Sequence, residues 1–165
     1  MKNLTLILPV LLFCSSCSSK YGIVKAKAYV RQSTAGTIKA DDNGRPLSSG
    51  INTQHLIYIE TDTSKPRAQW ETAWVEQQAY SIEPVPVAAN QIIGKTADGT
   101  EVIIDAKPGN VFWQLVLKSK KDMEPEAWLK NKINKNKIVL SGTWKDRQVV
   151  YKISKEQILQ PINFQ

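Results

Sequence analysis

The chain has 165 residues, a formal net charge of +7, one histidine, and two cysteines, Cys14 and Cys17, both near its N-terminus. A body with one histidine and no cysteine excludes the usual zinc, haem-attachment and thiol-redox designs, which need several such ligands at set spacings. The length suits one domain that buries about 70% of its unfolded surface and needs no disulfide to be stable.

Met1-Lys2-Asn3 supplies one positive charge. Residues 4–13, "LTLILPVLLF", are apolar except for Thr5 and interrupted by Pro9, and the small residues Cys14, Ser15 and Ser16 follow. A charged start, a short apolar run and small residues before a cut define a secretory signal peptide. The run is shorter than the roughly 20 residues a spanning helix needs. Phe13 is too bulky to precede a cut at Cys14, whereas Ser15 and Ser16 stand before Cys17. This stretch resembles the lipobox of bacterial lipoproteins, in the Ser-Ser-Cys form common in Bacteroidota.

The resemblance covers residues 1–20 and says nothing of the fold beyond them. It implies a signal peptide over residues 1–16, a lipidated tether over 17–22, and a single β-rich domain over 23–165. Cys17 would become the first mature residue and carry acyl chains, two or more of which anchor stably to a bilayer. The alternative is an ordinary secretory signal with Cys17 a free thiol. Among lipoproteins of this kind, an Asp after the cysteine retains the protein at the inner membrane, and acidic residues there accompany surface export. Ser18-Ser19-Lys20-Tyr21 offers neither, which implies the periplasmic face of the outer membrane.

Beyond the tether the chain reads as short strands between turns. "GIVKAKAYVR" alternates, with Val24, Ala26, Ala28 and Val30 on one face and Lys25, Lys27 and Arg31 on the other, as a strand wet on one side does. A long polar loop over residues 35–52 follows, pinned by Ile38 and Leu47. "QHLIYIET" is nearly continuous in β-branched and apolar residues, the mark of a strand buried on both faces. "SKPRAQWETAWVEQQAYSI" fits a helix from Ser64 or a hairpin turning at Glu76-Gln77-Gln78. The hairpin is favoured, because Trp, Thr and Val prefer strands. On such a strand Trp70, Thr72 and Trp74 share a face.

"EPVPVAAN" is a proline-spaced, extended connector. "QIIGKTADGTEVIID" is a hairpin about Asp98-Gly99, and Pro108-Gly109 turns into the strand "VFWQLVLK". "MEPEAWLKNKI" is the one helix, with Pro125 in its first turn, Glu124 and Glu126 at its N-terminus, Lys130 and Lys132 near its end, and Trp128, Leu129 and Ile133 inward. "KIVLSGTW" and "QVVYKIS" make a last hairpin about Lys145-Asp146-Arg147. Gly142-x-Trp144 is similar to the Gly-x-Trp of lipocalins, but stands near the end of the chain rather than the start of a barrel, and no residue role is carried over. The expected fold is mainly β: a small β-sandwich or barrel of about eight to nine strands with one short helix.

Little catalytic chemistry is present. No Gly-x-Ser-x-Gly, Ser-x-x-Lys or glycine-rich phosphate loop occurs in the mature chain. Asp41-Asp42-Asn43-Gly44 lacks the first Asp and closing Glu of a calcium loop. His55 reads as a strand-end residue with a hydrogen-bond partner. Glu60 with Asp62, and Glu71 with Glu76, are the carboxylate pairs that a glycosidase would need close together. No enzyme activity, cofactor or metal is expected.

Two leads to binding remain. Residues 18–117 balance 10 basic against 10 acidic residues, whereas residues 118–165 hold 11 against 5. Lys118, Lys120, Lys121, Lys130, Lys132, Lys135 and Lys137 therefore suggest an anionic partner: a lipid headgroup, a polysaccharide or an acidic envelope protein. Asp122, Glu124 and Glu126 interrupt the run, as they would if the lysines only solvate the surface. Trp70 and Trp74, about 13 Å apart on an ideal strand, would stack on a glycan if exposed and would be core aromatics if buried. The expected partners are the membrane, through acylated Cys17, and an envelope protein or glycan, with no nucleic acid. The expected role is a non-enzymatic binding or structural one, with a glycan-binding module as the alternative.

Overall fold

The computed structural model describes residues 20–34, 41–45, 51–88, 90–120 and 123–163. Among these the chain forms β1 (Ile23–Thr34), β2 (Ile51–Asp62), β3 (Gln69–Val75), β4 (Gln78–Pro86), β5 (Gln91–Lys95), β6 (Glu101–Ile104), β7 (Asn110–Ser119), α1 (Ala127–Asn134), β8 (Ile138–Trp144), β9 (Arg147–Ile153), β10 (Gln157–Ile158) and β11 (Ile162–Asn163). One sheet runs in the order β10-β1-β2-β7-β4-β3-β8-β9, with β11 also beside β1, while β5 and β6 pair separately. The large sheet curls into a half-barrel. The fold is thus mainly β with one short helix, and a single bent sheet takes the place of two facing ones.

The curl gives the chain two kinds of interior. Ile57, Ile59, Trp70, Ala73, Leu115, Ile138 and Leu140 meet in the concave core. The convex side has two covers. The β5–β6 hairpin brings Ile93 and Ile104 onto Tyr29, Leu56, Tyr58 and Phe112. Helix α1 brings Leu129 and Ile133 onto Trp74, Ala79 and Val139. Strand β2 lies under a cover on one face and over the core on the other, so its run from Leu56 to Ile59 is wholly buried. That is why its apolar residues are continuous rather than alternating.

Strand β1 departs from its expected half-wet character. Tyr29, on the face that carries the lysines, is buried, and its ring meets Tyr58 at 6.1 Å. The covering hairpin lies more than sixty residues away in sequence, so the local alternation of β1 does not register it. Lys27 passes over the Phe112 ring at 5.8 Å. Burial and the nearby charge of Lys25 lower its ammonium pKa from the ordinary value.

The ambiguous segment is a hairpin. Glu76 and Gln77 both take positive φ, 48° and 72°, the backbone of a tight two-residue turn matched to strand twist. Lys145 and Asp146 do the same between β8 and β9. Against β8, however, β3 slips: Trp70 stands opposite Gly142 and Thr72 opposite Ser141, leaving Glu71 as an extra, bulged residue. Side chains alternate along a strand, so one inserted residue reverses the faces beyond it. Trp70 therefore points into the concave core and Trp74 out beneath α1. The expectation that they share a face is corrected.

Two further boundaries move. The "EPVPVAAN" connector is half strand, because β4 pairs with β7 as far as Pro86 opposite Trp113. Val87 donates its N–H to the Phe112 carbonyl at 2.9 Å. Pro84 and Pro86, in the alternate positions, turn their nitrogens to the side that β3, paired only as far as Ser81, has vacated. Helix α1 begins at Ala127, later than expected, so Pro125 precedes it. Glu126 occupies the N-cap without capping through its side chain; its carboxylate instead accepts the Trp128 Nε1–H at 2.7 Å. Trp128 is 38% exposed rather than inward, because only Leu129 and Ile133, four apart, fall on the covering stripe.

Candidate functional site

The residues singled out in the sequence do not gather into one site. Cys17 and Lys121 lie outside the described residues. Trp70 and Trp74 are 7% and 2% exposed, on opposite faces of β3, so the pair offers no stacking platform. Lys118 reaches the Glu83 carboxylate at 2.5 Å, and Lys132 lies over the Trp128 ring. Lys130 and Lys135 lie exposed along α1 and at its C-cap, and Lys120 is exposed just past β7. Lys118 stands on β7 and Lys137 just before β8, and those two strands are three spacings apart in the sheet, about 14 Å.

The candidate carboxylate pairs are likewise separately engaged. Buried Glu60 accepts the Lys107 N–H at 3.1 Å and the Asn110 side-chain N–H at 2.6 Å. Asp62 accepts both the N–H and the hydroxyl of Ser64, which hold its carboxyl below the usual range. Glu71 accepts the Thr143 hydroxyl at 3.1 Å, while Glu76 faces Lys137 at 3.7 Å. No group of three metal-ligating side chains occurs among the described residues.

At the end of the half-barrel where β8 starts lies an ionic cluster. The Glu156 side chain is 0% exposed, with one oxygen 2.7 Å from His55 Nδ1 and the other 3.0 Å from Lys137 Nζ. Burial pushes the Glu156 carboxyl up, but hydrogen bonds and charge from His55 and Lys137 outweigh it and hold the carboxyl below its ordinary value. The Lys137 ammonium is correspondingly raised, through its bond to Glu156. The expected hydrogen-bond partner of His55, which lies within β2 rather than at a strand end, is a carboxylate 101 residues away. The cluster fastens the segment after β9 to β2 and to the start of β8.

The opposite end, where the described chain starts at Lys20, is built differently. Ala68 donates its N–H to the Tyr21 carbonyl at 3.0 Å, which lays the residues before β1 against the segment before β3. Contact there is so close that a Cβ on Gly22 would stand 2.7 Å from Arg67 Cα. The Tyr21 ring meets Trp144 at 6.0 Å and Trp70 at 6.3 Å. Trp113 donates its Nε1–H to Thr61 Oγ1 at 3.0 Å.

A cation lies over three of these half-buried rings. Arg67 is 3.7 Å from the Trp113 centroid, Lys145 is 4.4 Å from Trp144 and Lys20 is 5.3 Å from Tyr21. None of the three cations has an ion-pair partner among the described residues. This rim of aromatic rings and uncompensated cations is the candidate site. Sequence reading missed it because its members come from residues 20–21, 67, 113 and 144–145. The only local signals were Lys20 beside Tyr21 and Lys145 beside Trp144.

No protein-family model, curated protein or solved structure matches this chain. The described residues define a curled, mainly β fold with a cationic, aromatic rim at the end where the described chain starts, at Lys20. They contain no helix long and apolar enough to cross a membrane.

Proposed function

We propose that the chain is a lipid-anchored protein of the bacterial cell envelope, acylated on Cys17 and held at the periplasmic face of the outer membrane. Its β body serves a binding or structural role rather than a catalytic one. The observation that carries this reading is the Ser15-Ser16-Cys17 sequence after a short apolar run, three residues ahead of Lys20, where the described body starts. The engagement of Glu60, Asp62, Glu71 and Glu76 in separate hydrogen bonds and ion pairs supports the non-catalytic half of it. Burial of both Trp70 and Trp74 removes the support for a glycan platform at those two residues.

The test is a Cys17→Ala exchange. The parent chain should fractionate with membranes, and the mature product should carry added acyl mass beginning at Cys17. The variant should lose both. An unchanged distribution and an unmodified mass would sink the proposal.

A further inference from the structure

We infer that the rim formed by Lys20, Tyr21, Arg67, Trp113, Trp144 and Lys145 is the face that rests on the bilayer, where its cations engage anionic phospholipid headgroups. This inference rests on the acylation of Cys17. Two residues, Ser18 and Ser19, separate Cys17 from Lys20, so over three Cα–Cα steps the two Cα atoms can be at most about 11 Å apart, whatever path the chain takes. From Ile138 to Trp144, β8 runs six steps along the half-barrel, about 20 Å. A tether shorter than the body, joined at one end of it, brings that end within reach of the membrane, and the charges it carries decide whether it turns toward the lipid with the ionic cluster of Glu156 away from it.

The chemistry of the near end matches what it would meet. Long basic side chains reach phosphate while their stems cover apolar surface, here the rings of Tyr21, Trp113 and Trp144. The carboxylates of the two neighbouring turns are Asp62 and Asp146. Asp62 is matched by Lys65 at 3.2 Å, and Asp146 is followed by Arg147. Lys20, Arg67 and Lys145 therefore keep their charge for an external anion. Each basic side chain close to an anionic leaflet contributes a bias of about fivefold. The three together reach the order of a hundredfold, enough to fix which end faces the lipid.

The mature acylated chain has no free thiol, so one introduced cysteine gives a single labelling site. Full-length acylated protein carrying Ser64→Cys, in the loop after β2, or Asn134→Cys, at the far end of α1, is labelled with a fluorophore. It is then placed in vesicles containing headgroup-nitroxide lipid, made of phosphatidylcholine with a minority of phosphatidylglycerol. The expected result is several-fold stronger quenching at residue 64 than at 134. The triple exchange Lys20→Glu, Arg67→Glu, Lys145→Glu should bring the two signals together while the protein stays in the membrane fraction. Should the triple variant fail to fold, Lys20→Gln with Lys145→Gln, which leaves the Arg67–Trp113 contact intact, should narrow the difference.

Equal quenching at both sites in acylated protein would overturn this inference and leave the lipid anchor standing. So would a difference that survives charge reversal and is equally large in pure phosphatidylcholine. A parent chain that reacts with maleimide at Cys17 and lacks acyl mass would overturn both readings.

Discussion

Glu156→Gln separates the charge on the buried carboxylate from its shape. The side chain has no exposed surface, and two cationic or proton-donating partners hold it, at 2.7 and 3.0 Å. Removing one member of a buried ion pair costs about 3–5 kcal/mol when the orphaned partner stays charged and dry. Here the partners have relief. His55, 12% exposed, and Lys137, 42% exposed, both keep some access to water, and Lys137 retains Glu76 at 3.7 Å. The loss should therefore fall below that range, at about 2–3 kcal/mol, the value of one charge-assisted hydrogen bond. For a chain of this size that is roughly 5–10 °C in melting temperature.

The assay is denaturant unfolding of parent and variant across pH. The folded carboxyl lies below its ordinary value. Its contribution is therefore fully present above the unfolded carboxylate pKa of about 4.3 and is lost as pH falls through the folded value. Lys137 is raised, so its share persists at neutral pH and fades only as strongly alkaline pH passes its folded value. The parent–variant gap should be present at neutral pH and close progressively in acid. A gap that is absent at pH 7, or equally large well below pH 4, would refute the account.

Two other perturbations follow from packing. At Gly142 a Cβ would stand 2.0 Å from the Gln69 carbonyl oxygen and 2.9 Å from Trp70 Cα, so Gly142→Ala must open the ladder at the bulge and should cost about 3 kcal/mol or more. Gly99→Ala meets open space and only the strain of φ +87°, about 1–2 kcal/mol, and thermal melts should rank the two in that order. Leu129→Ala should cost about 2–3 kcal/mol as a cavity beneath a cover that can partly collapse. It should also raise acrylamide quenching of tryptophan fluorescence as Trp74 loses its lid, whereas unchanged quenching would show that α1 does not shield that ring.

Much of this architecture was readable locally. The Asp98-Gly99 turn, the Pro108-Gly109 turn and the hairpins at Glu76-Gln77 and Lys145-Asp146 were placed within a residue or two, because turn conformation depends on a few adjacent side chains. The continuous apolar run in β2 announced burial on both faces. Less legible were the helix start and the reach of β4 past Pro84, since both depend on which neighbour a backbone N–H faces.

The sequence by itself determined the strand-and-turn grammar of the body, and its first residues resemble the lipobox of bacterial lipoproteins. Only the tertiary structure decided that Trp70 and Trp74 part company, that Tyr29 is covered, that Glu156 closes on His55, and that six residues from four segments make one rim. The reason is physical. Turns and alternation are set by neighbours along the chain, whereas a side chain's face follows from a single inserted residue and its burial from strands that arrive much later.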